Sequence, residues 1–297
     1  MKRSHQLEIE PKRKFQKKGS TKKSNWKRFL VLPNKTWECG SDNMETLLET
    51  RNLSITFGEH QILQDLNIKI PKGKFISIIG PNGAGKTTLF NLLSGQNKPT
   101  KGEILFKGKN ITKLPIASRA RLGIGRSFQL TNIFPELTAL ENVRISVQST
   151  KKDLYNMFPN IRNYRGQLDE ARKLLEIVFL QEKEEVLAKN LSHGDKRKLE
   201  IAMLLALKPQ LLLLDEPTAG ISIEEVPAIL EVIKKIKSNP KHTIILIEHK
   251  MDMVLHLSDE LIVLFNGELL AKGEPQMIMK DERVQSAYLG GKSHVKS

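Results

Sequence analysis

An α/β fold with a largely parallel central sheet is predicted by three apolar runs. Phe75–Ile79 enters a glycine-rich loop, Leu211–Leu214 ends in two acids, and Thr243–Ile247 follows an amphipathic stretch, Val226–Lys237. Short apolar runs that alternate with helical patterns are what parallel strands joined by crossover helices leave in a sequence.

The elements follow in order. From Leu47 the residues alternate toward Phe57, and Ile62-Leu63 and Leu66–Ile70 repeat the pattern, with Gly58 and Pro71-Lys72-Gly73 at the turns. These read as antiparallel strands. Phe75–Ile79 reads as a buried strand, Lys86–Leu93 as a helix and Gly102–Lys107 as a further strand. Leu137–Val147 and Leu168–Phe179 have helical character, which makes the middle of the chain, about 130–200, helix-rich. Leu199–Leu207 and Val226–Lys237 read as helices alternating with strands Leu211–Leu214 and Thr243–Ile247. Asn266-Gly267 between Leu261–Phe265 and Glu268–Ala271 is a two-residue hairpin signal, and a terminal helix is expected from Pro275. No internal repeat is evident.

Composition sets the limits. At 297 residues and 39% hydrophobic, the chain can bury a substantial core. Lys208, Pro209 and Gln210 split its two richest apolar runs, so no stretch reaches the roughly 18 residues that cross a bilayer. A single cysteine, Cys39, excludes an internal disulfide and has no metal-ligand spacing. The net charge of +15 is unevenly placed, because residues 1–43 hold twelve Lys/Arg against four Asp/Glu. This segment is expected to be a basic, disordered extension, able to touch anionic lipid or RNA but lacking the apolar core of a secretory signal. A patterned segment opens at Met44, and residues 44–297 are expected to form one nucleotide-binding domain.

That domain is expected from a motif. Gly80-Pro81-Asn82-Gly83-Ala84-Gly85-Lys86-Thr87 matches G-x-x-x-x-G-K-[ST] at every fixed position, between a strand and a helix, and Thr88 extends it. The glycines let backbone amides turn toward phosphates, and the helix N-terminus adds a favourable dipole. Lys86 can then reach the β- and γ-phosphates of ATP while Thr87 offers a hydroxyl to Mg²⁺. At the end of the leucine strand, Asp215 is the expected metal carboxylate and Glu216 the acceptor for the proton of an attacking water.

Leu191-Ser192-His193-Gly194-Asp195 leads into a charged helix shortly before that acidic strand. Taken with the two phosphate motifs, it resembles the LSGGQ signature of ABC-type ATPases, and the resemblance covers about residues 46–290. It implies a P-loop NTPase fold of the ABC type: a mixed RecA-like sheet core, an antiparallel β subdomain and a helical subdomain. It places Phe57 as the adenine-stacking aromatic, Gln129 as the glutamine that reaches Mg²⁺ and water, and His249 as the switch histidine. In such proteins two nucleotide domains stack head to tail, so Ser192 and Gly194 would meet ATP held by another subunit.

The resemblance also implies partners. A second ABC ATPase subunit, identical or different, and membrane permease subunits are expected, with an external solute-binding protein engaged indirectly; specific nucleic acid is not. The expected location is the cytoplasmic face of the membrane. GRSFQLTNIFPELTALENV, DEPTAGIS, IEHKMDMV and AYLGG look like the importers of branched-chain amino acids and of urea or short amides. A lipid or lipopolysaccharide exporter ATPase is the nearest alternative, and a soluble translation or DNA-repair factor a more distant one. His193, Asp195 and Ser222 depart from the family pattern, which leaves the coupling across a dimer interface open.

Overall fold

Period-two alternation becomes two long strands, β1 (Thr46–Phe57) and β2 (His60–Pro71), paired antiparallel so that one face is apolar. The computed structural model describes residues 45–127, 133–150 and 161–289; the expected extension 1–43 and Gln129 lie outside them. Strand β3 (Phe75–Ile79) starts a second sheet, while β4 (Lys101–Phe106) and β5 (Lys109–Asn110) complete the first in the order β2-β1-β4-β5.

The second sheet has six strands. Beyond β3 they are β6 (Ile124–Arg126), β7 (Leu211–Asp215), β8 (Thr243–Ile247), β9 (Glu260–Phe265) and β10 (Glu268–Gly273). Their order is β10-β9-β3-β8-β7-β6, parallel except for the β9–β10 hairpin. Asn266 and Gly267 form its turn with φ of 48° and 80°, the left-handed values that a two-residue hairpin requires.

Burial on both faces explains why β3, β7 and β8 read as unbroken apolar runs. Leu211, Leu213, Ile245 and Ile247 face one core, shared with α1 (Lys86–Ser94) and with the four-stranded sheet through Leu53, Leu63 and Ile104. Leu212, Leu214, Ile244 and Leu246 face the other, which contains α5 (His193–Ala206) and α6 (Val226–Lys237). Val143 and Val147 of α3 (Ala139–Ser149), with Ala171 and Leu175 of α4 (Ile161–Ile177), extend that second core into the helix-rich middle.

Three elements lacked a pattern of their own. Strand β6 is three residues long with glycine at its centre, and it is a strand because Ile124–Arg126 borders Leu211–Leu213. Helices α2 (Ile116–Leu122) and α7 (Met251–Leu257) have only seven residues each, too few to show a helical period. The expected terminal helix is divided into α8 (Pro275–Ile278) and α9 (Glu282–Leu289). Helix α5 begins six residues before its apolar period does, because Ser192 caps it by accepting from Asp195 N at 3.1 Å.

The end of α1 is held by an unusual group. Arg119 is almost completely buried, and its guanidinium donates to Leu92 O and Leu93 O at 2.5 and 2.9 Å, and to Thr112 O and Leu114 O. Burial lowers its pKa to about 10, so it stays charged at neutral pH and complements the negative end of the helix dipole.

Helix α1 lies between two sheets and buries Leu89, Phe90, Leu92 and Leu93 there. Phe90 is fully buried there, and Phe90→Ala should cost about 3–5 kcal/mol, measurable as a lowered urea midpoint with an unchanged slope.

Candidate nucleotide site

Strand β3 runs straight into the glycine loop, and α1 leaves it at Lys86. Gly83 and Gly85 hold φ of 80° and 96°, values L side chains rarely adopt. At Gly80 a Cβ would stand 2.2 Å from Leu264 O, so the loop can lie against β9 only without one. Lys86 is 7% exposed and arches over the loop, donating from Nζ to Gly80 O at 2.8 Å and Pro81 O at 3.0 Å. Burial lowers its pKa, opposed by the charges of Glu216 and Asp215, so the lysine and both acids share one electrostatic site. Thr87 is exposed beside it.

Asp215 ends β7 with 0% exposure. Its Oδ2 accepts from Arg126 at 2.9 Å, while its Oδ1 is buried and has no hydrogen-bond partner among the described residues. Burial raises its pKa, and the Arg126 guanidinium beside it acts in the opposite direction. An unpartnered buried carboxylate oxygen is costly in itself and is the donor type that a hard divalent cation takes. Among the described residues no cluster of three or more His, Cys, Asp or Glu could hold a metal alone. One carboxylate and one hydroxyl therefore fit a Mg²⁺ that keeps phosphate oxygens and waters as its other ligands.

Glu216 follows with φ of 45°, a strained value held by the hydrogen bond its backbone N–H donates to Ile247 O at 2.9 Å. Strands β7 and β8 are neighbours with Asp215 opposite Ile247, so the residues after each strand meet. His249 Nε2 lies 3.1 Å from Glu216 Oε1. Buried Glu248 accepts from Thr218 Oγ1 at 2.5 Å and from His249 N at 2.9 Å, tying the two chain segments together. Phe57 sits half-exposed at the tip of the β1–β2 hairpin, whose Leu63 and Ile62 O lie against Gly85.

The signature helix presents a different face. Ser192 is exposed at its start, and a Cβ on Gly194 would come within 2.8 Å of the Glu225 carboxylate. The Ser192 hydroxyl and the Gly194 amide hold Glu225 below the usual carboxylate range. The Asp195 departure is accommodated by ion pairs, with Oδ2 accepting from Lys183 at 2.5 Å and Oδ1 from Lys198 at 3.1 Å. Burial alone would raise the Asp195 pKa, but the two lysines together bring it below its ordinary value.

The structure thus brings Lys86, Asp215, Glu216 and His249 together, with Thr87 beside Lys86 and Phe57 at the hairpin tip. Arg126, Glu225 and Glu248 also belong to the site and carried no signal that sequence reasoning could use. Arg126 lies within the quoted GRSFQ segment, but its partner is 89 residues away.

A strand, a phosphate loop and a helix facing a buried Asp215 and a partly exposed Glu216 define a P-loop nucleotide-binding protein. The family model described as "ABC transporter" matches residues 63–219, and one described as "Branched-chain amino acid ATP-binding cassette transporter" matches residues 268–294. The high-affinity branched-chain amino acid transport ATP-binding protein LivG of Escherichia coli (strain K12) is 38% identical over 251 residues, which are 83% of this chain and 98% of LivG. BraF of Pseudomonas aeruginosa, with the same description, is 37% identical over 82% of this chain and 98% of its own length. In structure, the ADP conformation of the ATP-binding cassette MJ1267 gives a TM-score of 0.70 at 31% identity, covering 82% of this chain and 99% of MJ1267. A dimeric post-hydrolysis cassette, MJ0796 bound to ADP and Pi, gives 0.64 at 26% identity, covering 77% of this chain and 99% of that one. The chain belongs to the ABC transporter family as one of its ATP-binding, ATP-hydrolysing subunits. No helix among the described residues is long and apolar enough to cross a membrane.

The lysine pairing of Asp195 has a pH signature. Because its folded pKa lies below the ordinary value of 3.8, the carboxylate contributes stability above that value and loses it as pH falls through the folded pKa. Asp195→Asn should cost about 1 kcal/mol at pH 7, and the gap to wild type should narrow in urea titrations as pH falls below the ordinary carboxylate value.

Proposed function

We propose that this chain hydrolyses MgATP as one half of a two-cassette motor that drives uptake of branched-chain amino acids through separate membrane subunits. The observation that carries the hydrolytic half is the meeting of Lys86, Asp215 and Glu216–His249 at the ends of the adjacent strands β3, β8 and β7. The substrate class is supported by the LivG and BraF descriptions and by the match over residues 268–294, which favour the importer over the lipid-exporter alternative.

The residues divide the work. Lys86 exchanges the Gly80 and Pro81 carbonyls for β- and γ-phosphate oxygens, and the loop amides bind the same anion. Thr87 and Asp215 Oδ1 hold Mg²⁺, with Gln129 assigned to the same ion and to the attacking water. The metal supplies neutralisation of phosphate charge. Glu216 accepts the proton of the water in line with the γ-phosphate, and His249, against its Oε1, fixes the carboxylate's orientation. Phe57 offers a ring for the adenine.

Ser192 and Gly194 stand at a helix N-terminus that already receives a carboxylate in cis, so this end is suited to anionic oxygens. In a head-to-tail dimer they bind the γ-phosphate held by the other cassette. ATP then closes the pair and hydrolysis loosens it, which is how nucleotide state becomes motion in the permease subunits. The chain works as a peripheral subunit at the cytoplasmic side of the membrane, indirectly coupled to a solute-binding protein.

Two substitutions test the roles. Glu216→Gln should lower turnover by about 10²–10⁴-fold and accumulate an ATP-bound dimer on size exclusion, and wild-type phosphate release would remove the proton-acceptor role. Lys86→Ala should weaken ATP binding by about 100-fold in equilibrium titration, equivalent to about 2.7 kcal/mol, and unchanged affinity would remove the phosphate role. For the substrate, the reconstituted permease complex should show ATPase stimulation by leucine-loaded binding protein; stimulation confined to a lipid substrate would instead support an exporter.

A further inference from the structure

Arg126 makes contacts that the ATPase roles above do not use. It ends β6, and its side chain is 8% exposed. One terminal nitrogen, Nη2, donates to Asp215 Oδ2 at 2.9 Å. The other, Nη1, donates to Asn91 Oδ1 at 2.7 Å, Ser94 Oγ at 3.1 Å and Gln96 Oε1 at 2.7 Å. Asn91 and Ser94 lie on α1, the helix that leaves the phosphate loop, and Gln96 follows it. The guanidinium also lies 5.7 Å from the ring centre of Phe90 on the same helix. A single rigid plane therefore joins the acidic strand β7 to the phosphate-loop helix.

The arrangement is selective for one oxygen. Oδ2 is engaged, Oδ1 has no partner among the described residues, and the backbone amide of Asp215 is itself held by Ser127 Oγ at 3.2 Å. With backbone and one oxygen fixed, rotation of the carboxylate is suppressed and the free oxygen keeps one direction. An arginine suits this task because its planar fork is pre-organised and always charged, where a lysine offers a mobile point charge. Groups that orient a metal-binding side chain without touching the metal contribute strongly to metal affinity.

We propose that Arg126 is a positioning residue for the divalent cation: by binding Asp215 Oδ2 while anchored on α1, it presents Oδ1 to Mg²⁺ in register with the phosphate loop. This rests on the reading of Asp215 as the cation's carboxylate. Arg126 touches neither nucleotide nor metal in this role, and its effect passes through Asp215.

The test is metal binding rather than turnover. Full-length chain saturated with ADP is titrated with Mn²⁺, and free Mn²⁺ is followed by electron paramagnetic resonance; ADP affinity in EDTA and thermal midpoints are measured alongside. Arg126→Met should weaken Mn²⁺ binding by about tenfold or more while ADP affinity in EDTA stays within about twofold, and Arg126→Lys should recover part of the loss. The double variant Asn91→Ala/Gln96→Ala removes two of the three acceptors of Nη1, at half-buried and exposed positions, and should weaken Mn²⁺ by about threefold even if Arg126→Met does not fold. Unchanged or tighter Mn²⁺ binding in Arg126→Met, or in the double variant if the first is unfolded, overturns the proposal. So does an equal loss of ADP affinity in EDTA, which would mark a purely structural tie. Asp215→Asn separates the underlying reading: if it leaves Mn²⁺ affinity intact the metal assignment fails, and if it alone weakens binding only the Arg126 role fails.

Discussion

A carboxylate with no solvent exposure, at the end of a strand of four leucines, is the constraint around which the site is organised. Burial drives Asp215 toward its neutral form, and a buried charge persists only where partners replace lost water. Three residues surround it: Arg126 at the end of β6 reaches the side chain, Ser127 just after it the amide, and Arg197 of α5 donates to the Asp215 carbonyl at 3.1 Å. The edge position of a three-residue strand, otherwise weakly encoded, follows from this demand. The same arginine reaches α1, so the acidic strand and the phosphate-loop helix are fixed relative to each other as well as packed.

The second anion-binding feature is built differently. At the start of α5, Ser192 is exposed, its hydroxyl and the Gly194 amide meet the carboxylate of Glu225, and the Asp195 amide is capped by Ser192 Oγ. Asp195, placed where the family signature carries glutamine, is turned to Lys183 and Lys198 and so adds no uncompensated charge there. The Asp195 departure is thereby charge-paired within its own chain. In the dimeric arrangement proposed above, the nucleotide loop and the signature helix of one chain would be complementary halves; the related cassette MJ0796 is described as dimeric.

Much of the fold was legible because its signals are local. The apolar runs of β3, β7 and β8 announce strands buried on both faces, and Asn266-Gly267 announces its hairpin through the positive φ that only such residues accept readily. What escaped was short or borrowed its stability. Strand β6 exists through pairing with β7, and the first turn of α5 exists through its Ser192 cap, since His193–Lys198 has no apolar period to show. Within the site, Asp215 and Glu216 were readable from LLLLDE, whereas the role of Glu248 was hidden beside His249, because its partner Thr218 lies 30 residues earlier.

The sequence by itself determined the nucleotide-binding segment, since a strand, GPNGAGKTT and a helix are continuous and the glycines, lysine and threonines fall within nine residues. It also determined the acidic pair, carried on the end of a single strand. Only the tertiary structure decided how that chemistry is held: Arg126 against Asp215 across 89 residues, His249 against Glu216 across 33, and Glu225 against Gly194. Those contacts depend on the order β3-β8-β7-β6, and strand order is set by how the faces of the sheet bury their side chains together, which no local pattern records.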